Sequence, residues 1–554
     1  MVIDTTETVS LSSETLVVVA ERLAAVEWPQ YDRSYEGPTV AHFGPGSFFR
    51  AALQRFYEPL VSAGCSKWMV DVVSMRSMCT PDLLKQQDCL HTVTTSDPFG
   101  NLTSRVRGSV RKAYYAGLDC SSTEFRDVLG RVDLAHVLSF TITPDGWPRD
   151  LGEERLLADV TILKNLYFEN QALGERPFAT ALGYIAWTLI ERWRHGRPAP
   201  GLLMFENMKR GGDKMLELLL KILDQADKRV SAAIRSGEYP VAMPIGMGDR
   251  IVAEGQVRDS EGKPMVSREC RRLRDEHGVY DPLALLTEDY VSFVVGCLDE
   301  NGEMLPGTEA LRDLQAPGFE FTTPKEAVTA QIKKLLFVNG AHAALALLGA
   351  VEGHEVIDRA AAQSSILDVL IARNREVRCI LQGSCTDLPQ QYERSLMERF
   401  GNPALADKVT RVGRRISSKV IDYFLESIKL AGERTLEAKA SALLVALWVY
   451  YLHLESEGRV PIQLPDKAFI EEHGDWRRHV PAALYLAAIA GHDAGAAQVL
   501  VKEVLEAHGK PVFCDRVIEC PWFVEVFADT LRALYHDGVA GLTKYGIACT
   551  CGES

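Results

Sequence analysis

Three side chains set into an apolar run carry the first chemical signal. Between Gln331 and Gly349 the chain reads QIKKLLFVNGAHAALALLG, which places Lys334, Asn339 and His342 among leucines and alanines. At about 100° per residue of an α-helix the three fall within an arc of roughly 140°. An amine, an amide and an imidazole then share one side of the helix. Desolvation disfavours the ammonium form, so a lysine half-buried against leucines becomes usable as a general base near neutral pH. The structural alternative is a Lys334 that snorkels to solvent beside a helix-interrupting Asn339-Gly340 pair.

The elements that must bring a reactant to this helix lie upstream. Residues 39–44, TVAHFG, read as a buried strand, and Gly44-Pro45-Gly46-Ser47-Phe48-Phe49-Arg50 turns directly into the helix AALQRFYEPLVSAG. Strand, glycine turn and helix form the context in which G-x-G marks a dinucleotide site. The backbone must approach a pyrophosphate, and the helix start offers free N–H groups. The third glycine of the full fingerprint is replaced here by aromatics. A second strand, KWMVDVVSM (67–75), follows at βαβ spacing and ends on Ser74-Met75-Arg76-Ser77, with Asp71 too early in the strand for a ribose contact. Arg76 and its serines tolerate a 2′-phosphate, so these residues leave NAD and NADP both open.

Further strands are predicted at 92–97, 109–116 and 136–142, and LLMFEN (202–207) as another that ends on Glu206-Asn207. Polar groups at strand C-termini of an open α/β sheet face the cofactor crevice, which makes Asn207 a site candidate against a simple turn-forming role. The charge-dense stretch 253–286 reads as a surface insertion or a compact subdomain. From about Thr323 helical periodicity dominates, with the first helix over 325–349. The expected architecture is α/β: a Rossmann-like dinucleotide-binding domain over 1–322, then a mostly α-helical domain over 323–554.

With 554 residues the chain exceeds one core. A net charge of −14 argues against nucleic acid as a bulk partner, since phosphate binding relies on clustered Lys and Arg. The 12 cysteines show no paired C-x-x-C, which fits free thiols in a reducing compartment; Cys549-Thr550-Cys551 reads as part of a frayed tail, with a metal grip as the alternative. No basic, apolar leader opens the chain, and the run Ala442 to Leu452 is too short to span a bilayer. The expectation is a cytoplasmic protein, monomeric or a small homo-oligomer, without metal, membrane or nucleic acid.

Taken in order, these signatures resemble the long-chain polyol-specific dehydrogenases, also called the mannitol dehydrogenase family, which includes fructuronate and tagaturonate reductases. The resemblance covers most of the chain. Pro29-Gln30-Tyr31-Asp32-Arg33, HFGPGSFFRA (42–51), VVSMRS, QQDCLHTV (86–93), Glu175-Arg176-Pro177-Phe178 and Glu206-Asn207 carry it in the first half. Lys334-x4-Asn339-x2-His342, Phe400-Gly401-Asn402-Pro403 and Arg411-x7-Lys419 carry it in the second. It implies a zinc-independent oxidoreductase that passes a hydride between NAD (or NADP) and a polyol, ketose or sugar acid. Lys334 would be the general base, Asn207 and Asn339 the donors to the developing alkoxide, and His342 the residue that orients substrate hydroxyls. Gly44, Gly46, Ser47, Phe48, Arg50 and Arg76 would hold the cofactor. Asp249, Arg411 and Lys419 would hold substrate, the last two lying two turns apart on one side if that segment is a regular helix.

The chain departs from the family pattern in places. Pro144 and Gln331 stand where glutamates are common, which leaves the proton's exit route open. Lys209-Arg210 and Arg414-Arg415 add cations that suit a carboxylate- or phosphate-bearing substrate if they are not merely solvated. The reading from another class is a nucleotide-binding protein without turnover; Lys334, Asn339, His342 and Asn207 together speak against it.

Overall fold

The computed structural model describes residues 8–143, 146–169, 171–205, 208–254, 257–258, 264–382, 390–466, 494–507 and 521–544. Pro144, Glu206, Asn207, Cys549 and Cys551 lie outside the described residues. The chain forms two compact units, Met1–Gln331 and Ile332–Ser554.

The first unit is built on a five-stranded, all-parallel sheet. Its strands are β1 (Val40–Phe43), β2 (Val70–Ser74), β3 (Val110–Tyr115), β4 (Val137–Phe140) and β5 (Gly201–Met204), in the order β3-β2-β1-β4-β5. VAHF, VLSF and GLLM lack the alternation of a half-exposed strand because helices cover both faces of the sheet. On one side Phe43, Leu138, Phe140 and Leu202 pack with Phe125, Leu163, Leu182 and Tyr184. On the other Val40, Val70, Val72 and Leu203 pack with Phe49, Phe56, Tyr57 and Trp68. Each such large side chain contributes about 1.5–3 kcal/mol on burial. Strand order reverses between β1 and β4, so the sheet opens a crevice beyond their C-terminal ends.

Of four smaller sheets among the described residues, two have more than two strands. One orders the strands Val252–Glu254, Leu285–Glu288, His91–Ser96 and Leu102–Arg107; the other orders Phe319–Thr322, Ser292–Gly296 and Gly246–Asp249. The 253–286 stretch thus supplies Leu285–Glu288, which pairs parallel with His91–Ser96. Its helix Arg268–His277 buries Cys270 and Leu273 against Leu11, Val19 and Leu23 of the N-terminal segment.

Thr323 opens helix α1 (Pro324–Lys333) with a reciprocal cap to Glu326, and Pro324 occupies the first turn, where a missing N–H costs nothing. Ala327 packs with Ile245, Met247 and Val294, and Gln331 donates to Met208 O at 2.8 Å and accepts from Arg210 N at 2.7 Å. These contacts attach α1 to the first unit, so the division falls after Gln331 and not before Thr323.

The helix expected over 325–349 is not regular. A π-turn, Lys334–Asn339, separates α1 from α2 (Gly340–Glu352). In the second unit α2 packs with α3 (Ser364–Leu381) and α4 (Lys439–Ser456) around Leu345, Leu347, Leu348, Leu370, Leu444, Leu447 and Trp448. The span Pro324–Glu352 is long and apolar enough to cross a bilayer, a test the shorter Ala442–Leu452 run does not represent; 78% of its apolar window is buried inside the protein, as in a core helix.

Candidate active site

The glycine turn sits where the sheet opens. Gly44 follows β1 with φ +94°, and a Cβ there would stand 2.9 Å from Thr141 O, just past β4. Only glycine fits both the conformation and the approach. Gly44 O accepts from Thr141 Oγ1 at 2.8 Å, and the His42 ring sits beneath it, 3.2 Å from Gly44 O, 3.0 Å from Thr141 Oγ1 and 2.7 Å from Ser139 Oγ. That ring stacks on Phe49 at 3.8 Å, and burial pushes its pKa down to about 3, so it is a neutral brace. Gly46 differs: a Cβ there would meet nothing nearer than Gly44 O at 4.0 Å, so the turn leaves room above it.

Ser47 and Phe48 begin the helical segment, and Phe48 stacks on Phe293 at 5.9 Å. Arg50 is buried within the π-turn Phe49–Leu53; its guanidinium donates to Pro45 O at 3.3 Å and Leu283 O at 2.5 Å. It supports the turn from below. Burial pushes its pKa down to about 10, with Asp281 opposing.

At the end of β2, Arg76 is exposed, its Nη2 3.3 Å from where a Cβ on Gly146 would stand. Asp71 is buried, paired with Arg111 at 2.5 and 3.0 Å and accepting from Thr39 Oγ1 at 2.9 Å. Its carboxylate is committed to the sheet. Asp249 is buried at the end of Gly246–Asp249. Next to it, Arg250 donates to Thr287 Oγ1, Glu288 O and Ala51 O at 3.0, 2.7 and 2.9 Å, so the arginine of Asp-Arg-Ile is structural.

In the second unit Lys334 opens the π-turn and is half-buried, as is Asn339 at its end. The Asn339 amide hydrogen-bonds the Tyr423 hydroxyl, which burial holds well above the ordinary phenol range. His342 Nε2 lies 3.4 Å from Asp407 Oδ2, and its ring stacks on Phe400 at 4.8 Å, the phenylalanine of Phe-Gly-Asn-Pro. Burial holds the imidazole below its ordinary pKa, with Asp407 opposing.

Arg411 and Lys419 do not lie on one regular helix. Short helical turns, Val409–Val412 and Ile416–Lys419, are broken between them by Arg415 in the left-handed region at φ +60°. They still converge. Arg411 Nε donates to Asp407 Oδ1 at 2.5 Å, and Lys419 Nζ donates to Val412 O. Burial and then the Arg411 charge push Lys419 down to about 8, with Arg415 acting in the same direction. The structure thus forms two groupings, Asn339 with Tyr423, and His342, Arg411 and Lys419 with Asp407. Of the four added cations, Arg210 pairs with Asp213 at 2.7 Å, Lys209 and Arg414 are exposed, and Arg415 is half-buried beside Lys419.

Sequence reasoning missed Asp407, Tyr423 and His42. Asp407 carried a signal, a carboxylate four residues before Arg411. His42, a polar residue in an otherwise apolar strand two before the glycine, carried another.

The comparisons with known proteins cover both units. The sequence model of the mannitol dehydrogenase Rossmann domain matches residues 38–303, and that of the mannitol dehydrogenase C-terminal domain matches residues 330–531. The chain is 26% identical to polyol:NADP oxidoreductase of Gluconobacter oxydans over 74% of this chain and 79% of that protein. It is 24% identical to D-mannonate oxidoreductase of Escherichia coli over 82% and 88%. Among solved structures, mannitol 2-dehydrogenase of Pseudomonas fluorescens, in ternary complex with NAD and D-mannitol, superposes with a TM-score of 0.73 at 22% identity, covering 97% of this chain and 99% of that one; it speaks for the fold. With the two domain matches following one another along most of its length, the chain belongs to the mannitol dehydrogenase family of oxidoreductases.

Proposed function

We propose that the protein is a zinc-independent dehydrogenase acting between a polyol and its ketose, with Lys334 as general base. The observation that carries this reading is the π-turn Lys334–Asn339, which joins a half-buried amine to an amide fixed on Tyr423, one turn ahead of a His342 held by Asp407. In oxidation the substrate hydroxyl gives its proton to Lys334 Nζ, and the hydrogen on the same carbon leaves as hydride while the C–O bond becomes C=O. Asn339 and Asn207 are the donors for the charge that develops on oxygen. His342, neutral near pH 7, orients neighbouring hydroxyls, and Asp249 and Arg411 are the further substrate contacts.

The open space over Gly46 beside the helix start fits a pyrophosphate, with Gly44, Ser47 and Phe48 shaping the cradle and Arg50 bracing it. NAD(H) held there would supply the hydride chemistry, as acceptor in one direction and donor in the other. The exposed Arg76, with Asp71 committed to Arg111, makes NADP(H) the second cofactor to test. Absorbance at the NADH band, scanned with mannitol, arabinitol, sorbitol, fructose and fructuronate, tests the reading. Turnover with a polyol or ketose is expected; cofactor binding without turnover on any of them would favour the non-catalytic alternative.

A second reading, reduction of a keto-uronate, is favoured by one observation: Lys419 is depressed first by burial and then by the Arg411 and Arg415 charges, against Asp407 and Asp466, so three cations lie near one another. A substrate carboxylate relieves that repulsion. Clear preference for fructose over fructuronate and tagaturonate would remove it.

A further inference from the structure

The turn that carries Lys334 and Asn339 is wound more widely than the α-helices on either side, and one side chain holds it so. Gly340 N donates five residues back, to Leu335 O, and also to Phe337 O, bypassing the Leu336 O that an α-helix would use. Leu336 O instead accepts from Arg373 Nη2, and Phe337 O accepts from Arg373 Nη1 at 3.2 Å. Arg373 reaches them from α3 and is fully buried, its guanidinium over the Phe424 ring at 6.0 Å. The space it occupies exists because residue 340 is glycine: a Cβ there would stand 2.0 Å from Nη2.

The winding matters for chemistry because of a spacing. On an α-helix, residues five apart sit about 140° apart, at opposite edges of one face. In an i→i+5 turn, wound at about 4.4 residues per turn, that angle narrows to about 50°. Lys334 and Asn339 are five apart and are the first and last residues of this turn. A buried arginine is a costly way to satisfy two carbonyls that an ordinary α-helix would satisfy by itself. The same device recurs in the first unit, where Arg250 Nη1 takes Ala51 O inside the π-turn Phe49–Leu53.

We infer that Arg373 is a positioning residue: by holding the carbonyl oxygens of Leu336 and Phe337 it keeps the Lys334–Asn339 turn wide and the amine and amide on one side of the helix. The inference rests on the reading of Lys334 as the base.

The test uses the full-length enzyme with Arg373→Met, Arg373→Lys and Gly340→Ala, measuring kcat, KM, the pH profile of kcat and NADH affinity. Arg373→Met and Gly340→Ala are each expected to lower kcat by about 30-fold or more while NADH affinity stays within about twofold. The double variant should be no worse than the poorer single, since both changes remove one interaction. Arg373→Lys should recover part of the loss, and the alkaline dependence of kcat should move in Arg373→Met. A folded Arg373→Met with wild-type kcat and pH profile and only a lower melting temperature overturns the inference. If Arg373→Met does not fold, a wild-type kcat in Gly340→Ala overturns it, and so does failure of every variant to accumulate folded, which would mark a role in stability alone. Lys334→Ala is the control: wild-type turnover there defeats the base assignment itself, whatever Arg373 does.

Discussion

His342 Nε2 lies 3.4 Å from Asp407 Oδ2, and the same buried carboxylate receives Arg411 Nε at 2.5 Å. One side chain therefore fixes both an imidazole and a guanidinium. Burial pushes the Asp407 carboxyl up, but Arg411 and His342 outweigh it and hold the group below its ordinary value. Asp407→Asn is expected to raise the substrate KM tenfold or more and to lower stability by on the order of 1–3 kcal/mol, since Arg411, whose side chain is 43% exposed, retains access to water. Steady-state kinetics with a urea titration check both; an unchanged KM contradicts the placement of His342 and Arg411 at the substrate.

The two glycines of the turn should respond differently. Gly44→Ala forces a left-handed alanine against Thr141 O and should cost about 1–2 kcal/mol or more. Gly46→Ala meets open space, so its melting temperature should hold while NADH binding weakens about tenfold or more, some 1.4 kcal/mol. Thermal unfolding and fluorescence titration of the two variants separate these outcomes. Equal binding by Gly46→Ala and wild type would move the cofactor away from this turn.

His42 gives a stability prediction with a definite sign. Its folded-state pKa is near 3, against an ordinary 6.5, so between those values the unfolded chain binds a proton that the folded chain does not. Stability should therefore fall as pH drops below about 6.5, with a slope approaching about 1.4 kcal/mol per pH unit from this residue alone. His136, pushed down to about 4 by burial, acts in the same sense. Urea midpoints at pH 7, 6 and 5 should decline, and His42→Asn should decline less steeply.

Lys419 sets an alkaline limit. Held near 8, it is protonated at neutral pH and loses its charge in a range where an exposed lysine would keep it. KM for a carboxylate-bearing substrate should rise as pH passes about 8, by about tenfold if the charge–charge contact contributes on the order of 1.4 kcal/mol. Lys419→Arg should flatten that rise.

The parallel sheet was legible because continuous apolar runs separated by glycine turns have few other uses: β1, β2 and β4 fall inside the stretches expected from VAHF, VDVV and VLSF, β3 falls inside 109–116, and β5 begins one residue before the expected 202–207. Strands such as Leu102–Arg107 and Gly246–Asp249 were not expected, since LTSRVR has only two apolar residues and GMGD only one.

 The site divides the same way. Lys334, Asn339 and His342 declared themselves by type and spacing, but the π-winding between them did not, because a helix pattern at 3.6 residues per turn says nothing about one inserted residue. Asp407 and Tyr423 come from segments distant in sequence and meet the site only through packing of the second unit. Arg411 and Lys419 were expected on one helical side; the left-handed Arg415 between them, invisible to periodicity, brings them together by another route.

The central claim is that one amine takes the substrate proton, and Lys334→Ala measures it most directly. Steady-state turnover with the best polyol, alongside NADH titration of the same preparation, should give a kcat about 10²–10⁴-fold lower with cofactor affinity nearly unchanged. Turnover at the wild-type rate by a folded, cofactor-binding Lys334→Ala would contradict it.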